Sequence, residues 1–310
     1  MLIYKISQDN LIETKFDDFT TDTSNKHWLV MTPEELEEKN DFFRFSYQTV
    51  NDCIHNEDAP KLDVYENYSF GILNIIGPKE SFFTVTEINF YISKNYLIFV
   101  SKNYLDLFRD IQRDIHNRGN LRISTEKILY NLIDKMTVKD YNMLSNIEQE
   151  ISDVEEDVLN GKTKDYSKDI VLLKNKLLFL KKHYEPLLDI IEDLTENENS
   201  ILEERTIAYF VILFNRIERL NRKVGNLRDY VTQVRESYQA QLDISLNNTM
   251  KLFTVLTAIF SPLTLIVGWY GMNFPFMPEF HWKYGYVFVI TLSITVLFFC
   301  LWIFKKRKLW

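Results

Sequence analysis

Residues 247–273 read NNTMKLFTVLTAIFSPLTLIVGWYGMN, and the rest of the chain is organised around this stretch. No charged residue occurs between positions 252 and 270, which is long enough for a helix to cross about 30 Å of hydrocarbon. Mostly small or polar residues recur within it at steps of three or four, the period of one narrow stripe along a helix. The stripe comprises Asn247, Met250, Thr254, Thr257, Ser261, Thr264 and Gly268.

A polar stripe on a membrane-spanning helix must lie against protein or water, because lipid offers it no hydrogen-bond partners. Several copies of the helix packed around one axis would turn the stripe into the wall of a pore. Phe253, together with Met250, is predicted to form a hydrophobic constriction that gates the pore by dewetting. Two other uses of the hydroxyl groups are bonding to the carbonyl four residues earlier and helix–helix contact.

The apolar stretch ends in Tyr-Gly-Met-Asn-Phe at 270–274, followed by Met-Pro-Glu at 277–279 and Trp-Lys-Tyr-Gly-Tyr at 282–286. These motifs, placed between two C-terminal apolar runs, resemble the signature of the CorA family of divalent-cation channels. The resemblance implies a funnel-shaped homopentamer with an ion-selectivity filter at the end of the first span. The filter residues that it implies are Gly271, Met272 and Asn273.

The expected fold is an α+β cytoplasmic domain with a long helical stalk and two C-terminal transmembrane helices. Residues 1–120 form the α/β domain, and residues 121–250 form a helical pair and the stalk helix. Residues 251–310 form the pore domain, with spans at about 251–270 and 284–304.

Within the first domain, Thr32-Pro33-Glu34-Glu35 predicts a helix start, because Thr32 can cap the helix and Glu35 can complete a capping box. Aromatic and β-branched runs predict strands, and the Ser-Lys-Asn at 93–95 predicts a hairpin between two of them. The predicted strands are 68–73, 82–92 and 96–100, preceded by 60–65.

From residue 125 the apolar period becomes helical, and we expect one helix that ends at 160–161. A second helix starts at about 167 and is expected to kink at Pro186. A third starts near 203 and continues into the membrane as about 65 residues, roughly 100 Å long. A polar row on this helix leads into the stripe; its members are Glu236, Gln239, Asp243 and Asn247.

The charge distribution separates the soluble part from the spans. The chain has 36 basic and 44 acidic residues. Six of the basic residues and one of the acidic residues lie in residues 251–310. Residues 1–250 therefore hold 30 basic and 43 acidic residues, a net charge of −13. Nucleic-acid phosphates require a basic surface, so nucleic acid is not expected as a partner. The expected partners are further copies of this chain and the membrane.

Basic residues at 305–308 directly follow the second span, and the positive-inside bias places them in the cytoplasm. Both termini are then expected in the cytoplasm and the loop 271–283 outside the cell membrane. The expected location of the protein is a plasma or inner membrane. Asp243 at the cytoplasmic mouth and Glu279 in the outer loop are expected to attract cations. No cleavable signal peptide is expected, and Cys53 and Cys300 predict no disulfide framework.

Two other regions bear on possible metal sites. Asp52-Cys53-Ile54-His55, with Glu57 and Asp58, is interpreted as a solvated polar loop, since no second Cys/His pair follows at ligand spacing. CorA channels of the best-known type use a stalk acid as an intracellular Mg²⁺ sensor. Counted back from the Gly-Met-Asn, that position falls at 212–215, where this chain has no acid.

Three functions follow as alternatives. The first is an oligomeric Mg²⁺ channel that also passes Co²⁺ or Ni²⁺, with Asn273 facing the hydrated ion. The second is a Zn²⁺ transporter like the ZntB group of the same superfamily. The third is a cytosolic binding protein that the two spans only tether. No catalytic motif is found, so neither enzyme activity nor a cofactor is expected.

Overall fold

The computed structural model describes residues 1–7, 10–19, 25–55, 59–78, 83–102, 106–117, 123–162, 164–272, 277 and 282–306. The chain divides into two compact units. We call residues 1–156 and 163–234 the sheet unit, and residues 157–162 and 235–310 the span unit.

The sheet unit is built on a seven-stranded sheet in the order β2-β1-β3-β7-β6-β5-β4. All neighbouring strands are antiparallel except β3 and β7, which run parallel with Leu29 opposite Ile98. The strands are β1 (Leu2–Ser7), β2 (Asn10–Glu13), β3 (Lys26–Met31), β4 (Lys61–Val64), β5 (Ser69–Pro78), β6 (Phe83–Ile92) and β7 (Tyr96–Val100).

The β6–β7 hairpin is confirmed: the Ser93 N–H donates to the Tyr96 carbonyl across 2.9 Å. Strands β1, β2 and β3 were not predicted. Five of the six residues of β3 are buried, so it is a central strand. Its pairing with β7 joins segments about 70 residues apart, which no local sequence pattern shows.

The helix start at Thr32 is also confirmed. Helix α1 (Pro33–Phe43) has the full capping box: the Glu35 N–H donates to the Thr32 hydroxyl, and the Thr32 N–H donates to the Glu35 carboxylate. Helix α2 (Tyr47–His55) packs behind it. The core between these helices and the sheet is apolar and largely aromatic, and includes Leu29, Phe45, Phe70 and Tyr91.

The interpretation of residues 52–58 as a solvated loop is wrong where the structure describes them. They lie in α2 up to His55, and Cys53 is fully buried in the core with its thiol 3.7 Å from the Tyr91 hydroxyl. Burial raises the pKa of Cys53 to about 12, so the thiolate that metals prefer is disfavoured. Asp52 pairs with Lys61 at 2.9 Å. Glu57 and Asp58 lie outside the described residues.

Gly71→Ala is expected to lower the thermal unfolding midpoint. Gly71 lies opposite Phe90 in the β5–β6 ladder, and an added Cβ would stand 2.2 Å from a ring that is 0% exposed. Overpacking of this kind costs about 1–3 kcal/mol. Gly77→Ala in the same strand is the matched control. Its Cβ would meet only the hydroxyl of Thr84, an exposed side chain that can move aside. Equal midpoints for both variants in detergent would contradict the expectation.

The helical part of the sheet unit has more elements than predicted. The helix expected over 125–161 is two helices, α4 (Thr125–Thr137) and α5 (Asp140–Leu159). The break follows Thr137, and the two residues between the helices, Val138 and Lys139, form a turn. The remaining helices are α3 (Asp106–Asn117), α6 (Ser167–Glu196), α7 (Glu204–Tyr270) and α8 (Gly285–Lys306).

The predicted apolar faces are buried. On α5 they include Leu144, Ile147 and Ile151. Helix α6 is helical throughout, including Pro186. On α7 the buried face comprises Leu220, Val224, Leu227, Val231 and Val234.

Asp140→Asn is expected to stabilise the fold in a pH-dependent way. Asp140 is 7% exposed, and burial raises its pKa from 3.8 to about 6. Between these values the folded chain binds a proton that the unfolded chain lacks, so the free energy of unfolding falls as the pH rises through this window. The variant should therefore raise the free energy of unfolding at pH 8 by about 1–3 kcal/mol, and with it the unfolding midpoint.

At pH 4 the same substitution should have little effect, because the carboxyl group is already protonated in the folded state. Asp153→Asn, on an exposed carboxylate of the same helix, is the matched control and should show no such pH dependence. A lower midpoint for Asp140→Asn at pH 8 would contradict the expectation.

Among the described residues of the span unit, the C-terminal part of α7 and helix α8 are long and apolar enough to cross a membrane. The Cys300 thiol of α8 donates to the Ala258 carbonyl of α7 at 3.8 Å, which identifies one contact between them. Cys53 and Cys300 are both free cysteines. Helix α7 is continuous over 67 residues through Pro262, which confirms the predicted long helix.

Candidate functional site

The polar stripe lies on the more exposed face of the spanning part of α7. In the spanning part of α7, half-buried positions recur around Ala258, including Val255 and Pro262. At 3.6 residues per turn, the centre of the stripe lies roughly 140° around the helix from this face. All predicted pore-lining residues are exposed in the single chain; they are Asn247, Met250, Phe253, Thr254, Thr257, Ser261, Thr264 and Gly268. Their role as pore lining stays a prediction.

Two stripe hydroxyl groups are bonded to their own helix. Thr254 donates to the Met250 carbonyl and Thr264 to the Phe260 carbonyl, each at 2.8 Å. This is the back-bonding that the sequence left open as an alternative. Because a hydroxyl oxygen also has acceptor lone pairs, each group can still accept a hydrogen bond from water. Water in the shell of a cation donates outward, so an acceptor is what a hydrated ion needs here.

A large apolar pair precedes the hydroxyl groups on the stripe. Met250 is 64% exposed and Phe253 is 60% exposed in the single chain. Asn247 and Asp243 are exposed on the same side, about one and two turns before Met250 respectively. Along α7 the order is therefore a carboxylate, an amide, an apolar pair and then hydroxyl groups.

The end of α7 requires glycine at position 271. The Gly271 N–H donates to the Val267 carbonyl at 2.9 Å, and the Met272 N–H donates to the Trp269 carbonyl at 3.3 Å. A Cβ on Gly271 would stand 2.9 Å from that same Val267 carbonyl oxygen. The backbone at position 271 lies too close to the Val267 carbonyl to leave room for a side chain.

Two predicted site residues, Asn273 and Glu279, lie outside the described residues. The described flanks of this loop are rich in exposed aromatic side chains, as is typical of a membrane interface. Trp282 contacts Phe288, with ring centroids 5.8 Å apart. The exposed aromatic residues are Trp269, Trp282, Tyr284 and Tyr286.

Residues 212–215, the stalk position at which this chain has no acid, lie within helix α7. Ile212 is 51% exposed, Leu213 is buried, and the Asn215 amide donates to the Val211 carbonyl at 2.9 Å. Among the residues that the structure describes, no group of three or more His, Cys, Asp and Glu side chains could hold a metal ion.

One ion-pair cluster was missed by the sequence analysis. The Lys26 ammonium on β3 contacts Glu126 at 3.2 Å and Glu203 at 3.1 Å. Glu126 is only 2% exposed, and Thr125 also donates to it. The one signal in the sequence is an acid in the first turn of α4, next to the buried apolar face.

An α/β unit, a 67-residue helix with a polar stripe, and a second apolar helix ending in lysines are the features of a membrane protein. The chain belongs to the family of CorA-like Mg²⁺ transporter proteins, which it matches over residues 27–307. It is thus a member of a family of divalent-cation transporters.

Among curated relatives, the cobalt/magnesium transport protein CorA of Thermotoga maritima is 28% identical over 295 residues, 93% of this chain and 84% of that protein. The complete structure of the CorA magnesium transporter from Methanocaldococcus jannaschii matches with a TM-score of 0.81 at 20% identity, covering 99% and 98% of the two chains. The ZntB cytoplasmic domain from Vibrio parahaemolyticus matches with a TM-score of 0.65 at 17% identity, covering 78% and 98%. These structural matches confirm the fold class.

Proposed function

We propose that this chain forms a homopentameric channel that passes hydrated Mg²⁺ down its electrochemical gradient through a filter of Gly271, Met272 and Asn273. Co²⁺ and Ni²⁺ are proposed as further substrates. The observation that supports this most is the polar stripe, which follows one exposed face of a continuous helix. In a ring of copies these faces can meet around one axis.

The filter is proposed from the chemistry of the ion. Mg²⁺ prefers octahedral oxygen coordination and gives up its water reluctantly. A ring of Asn273 amide oxygens can accept hydrogen bonds from that water without stripping it. Helix α7 ends at Tyr270 and Gly271 follows it directly, which supports a filter at the end of the span.

The driving force is proposed to be the membrane potential and the ion gradient. Moving a divalent ion across 100 mV corresponds to about 4.6 kcal/mol. Asp243 and Glu279, on either side of the pore, would raise the local cation concentration. Lys305 and Lys306 end α8, and the positive-inside bias places this end and the N-terminal part in the cytoplasm.

The test is ion influx into proteoliposomes that contain a trapped Mg²⁺-sensitive dye, with parallel assays for Co²⁺, Ni²⁺ and Zn²⁺. We expect Mg²⁺ to enter, and purified protein to have the mass of five copies. Influx of Zn²⁺ alone would overturn the substrate assignment in favour of a zinc transporter. No influx of any ion by folded, oligomeric protein, over a range of internal Mg²⁺ concentrations, would favour the tether alternative.

A further inference from the structure

A groove with a volume of about 370 Å³ lies in the sheet unit, between α7 and the corner where α4 ends and α5 begins. Its apolar lining includes Val138, Tyr141 and Leu220. Its basic lining comes from one face of α7 and consists of Arg216, Arg219 and Lys223. A cavity of this size is in the range of small-molecule sites.

The basic wall is unusual for this unit. Residues 1–250 carry a net charge of −13, yet three cations stand at i, i+3 and i+7 on a single helix face. Like charges at these spacings destabilise a helix. An anion bound in the groove would relieve that repulsion.

The two outer cations are held in place by carboxylates. Arg216 pairs with Asp134 at 2.5 Å, and Lys223 pairs with Glu148 at 2.8 Å. Arginine has five N–H donors and lysine three, so each keeps donors for a ligand. Within the described part of the chain, Arg219 forms no ion pair with a carboxylate. The middle of the wall is therefore the strongest position for an anion.

The opposite wall offers a flat apolar surface. Tyr141 is 62% exposed and Val138 is 55% exposed. The Lys223 ammonium lies over one face of the Tyr141 ring, 4.7 Å from its centroid, so the aromatic side chain and the basic wall are in direct contact. A ligand that fits both walls has a multiply charged anionic group joined to a flat ring.

We propose that this groove binds a nucleoside diphosphate, with its phosphates on Arg219 and its neighbours and its base stacked on Tyr141. Arginine matches phosphate oxygens with paired donors, and aromatic rings stack on any base. The proposal concerns binding to the sheet unit and does not depend on ion transport.

The test is calorimetric titration of the full chain in detergent with ADP, in EDTA so that no Mg²⁺-bound nucleotide contributes. We expect saturable binding that Arg219→Gln weakens at least about 10-fold, the loss of one charge-assisted contact. Arg222→Gln is the matched control: Arg222 lies on the same helix outside the groove, is 66% exposed, and pairs with Glu218 at 3.5 Å. It should leave ADP binding unchanged.

Titration with pyrophosphate, which has the phosphates but no base, tests the two parts of the ligand separately. Tyr141→Ala should weaken ADP binding and leave pyrophosphate binding unchanged. The proposal is overturned if ADP does not bind the intact chain, or if Arg222→Gln weakens binding as much as Arg219→Gln, which would indicate unspecific charge attraction. Equal affinity for pyrophosphate and ADP, unaffected by Tyr141→Ala, would overturn the nucleotide assignment.

Discussion

Replacing Asn273 by Ala is expected to reduce Mg²⁺ influx into proteoliposomes to the leak of empty liposomes. The substitution removes the only side-chain oxygen of the Gly-Met-Asn triplet, and with it the acceptor for the water around Mg²⁺. A hydrogen bond to a charged group contributes about 1.5–3 kcal/mol. Losing one such bond corresponds to about 10- to 100-fold in rate, and a ring of copies loses several.

The matched control for this prediction is Asn226→Ala, which removes an exposed amide from α7 in the sheet unit. It should transport Mg²⁺ at the rate of the intact chain. The variant at position 273 must show the same oligomeric mass as the intact protein, so that lost assembly is not mistaken for lost conduction. Full influx by correctly assembled Asn273→Ala would refute the filter.

Gly271→Ala is expected to reduce Mg²⁺ influx by about 10- to 100-fold. The new Cβ would stand 2.9 Å from the Val267 carbonyl oxygen, which is backbone and already accepts the Gly271 N–H. The chain can relieve this contact only by moving the residues that follow, which are the proposed filter. Overpacking strain of about 1–3 kcal/mol gives the magnitude of the effect.

Gly225→Ala is the control for a glycine in the same helix, since a Cβ there meets nothing within 4 Å. It should leave influx unchanged and raise the unfolding midpoint slightly, because alanine is the better helix former by about 0.5–1 kcal/mol. If Gly271→Ala conducts Mg²⁺ like the intact chain, the close approach at Val267 has no part in the pore.

The membrane part was predictable in detail because its signals are local. The uncharged run 252–270, the turn at Gly271 and the lysines after 304 each depend on a few neighbouring residues. Helix α7 ends at Tyr270, where the sequence placed its end, and Lys306 ends α8. The filter and the pore lining were assigned from resemblance and periodicity, and their roles await the flux measurements.

The N-terminal unit was harder to predict, for particular reasons. The polar sequence around Cys53 indicated a loop, but the thiol packs in the core beneath Tyr91 and the segment is helical. The break between α4 and α5 interrupts an apolar period that continues through both helices, so the period alone does not show it. Strand β3 pairs with β7 across a long stretch of chain.

The sequence by itself determined the two spans, the polar stripe, the acidic character of the soluble part and the family motif. Each of these is a property of consecutive residues, since hydropathy, helical period and charge are set within a few turns. Only the tertiary structure decided the strand order, the cluster of Lys26 with Glu126 and Glu203, and the basic groove beside Tyr141. These join residues far apart in the chain, and they meet only because burying the apolar faces of the sheet and helices brings them together.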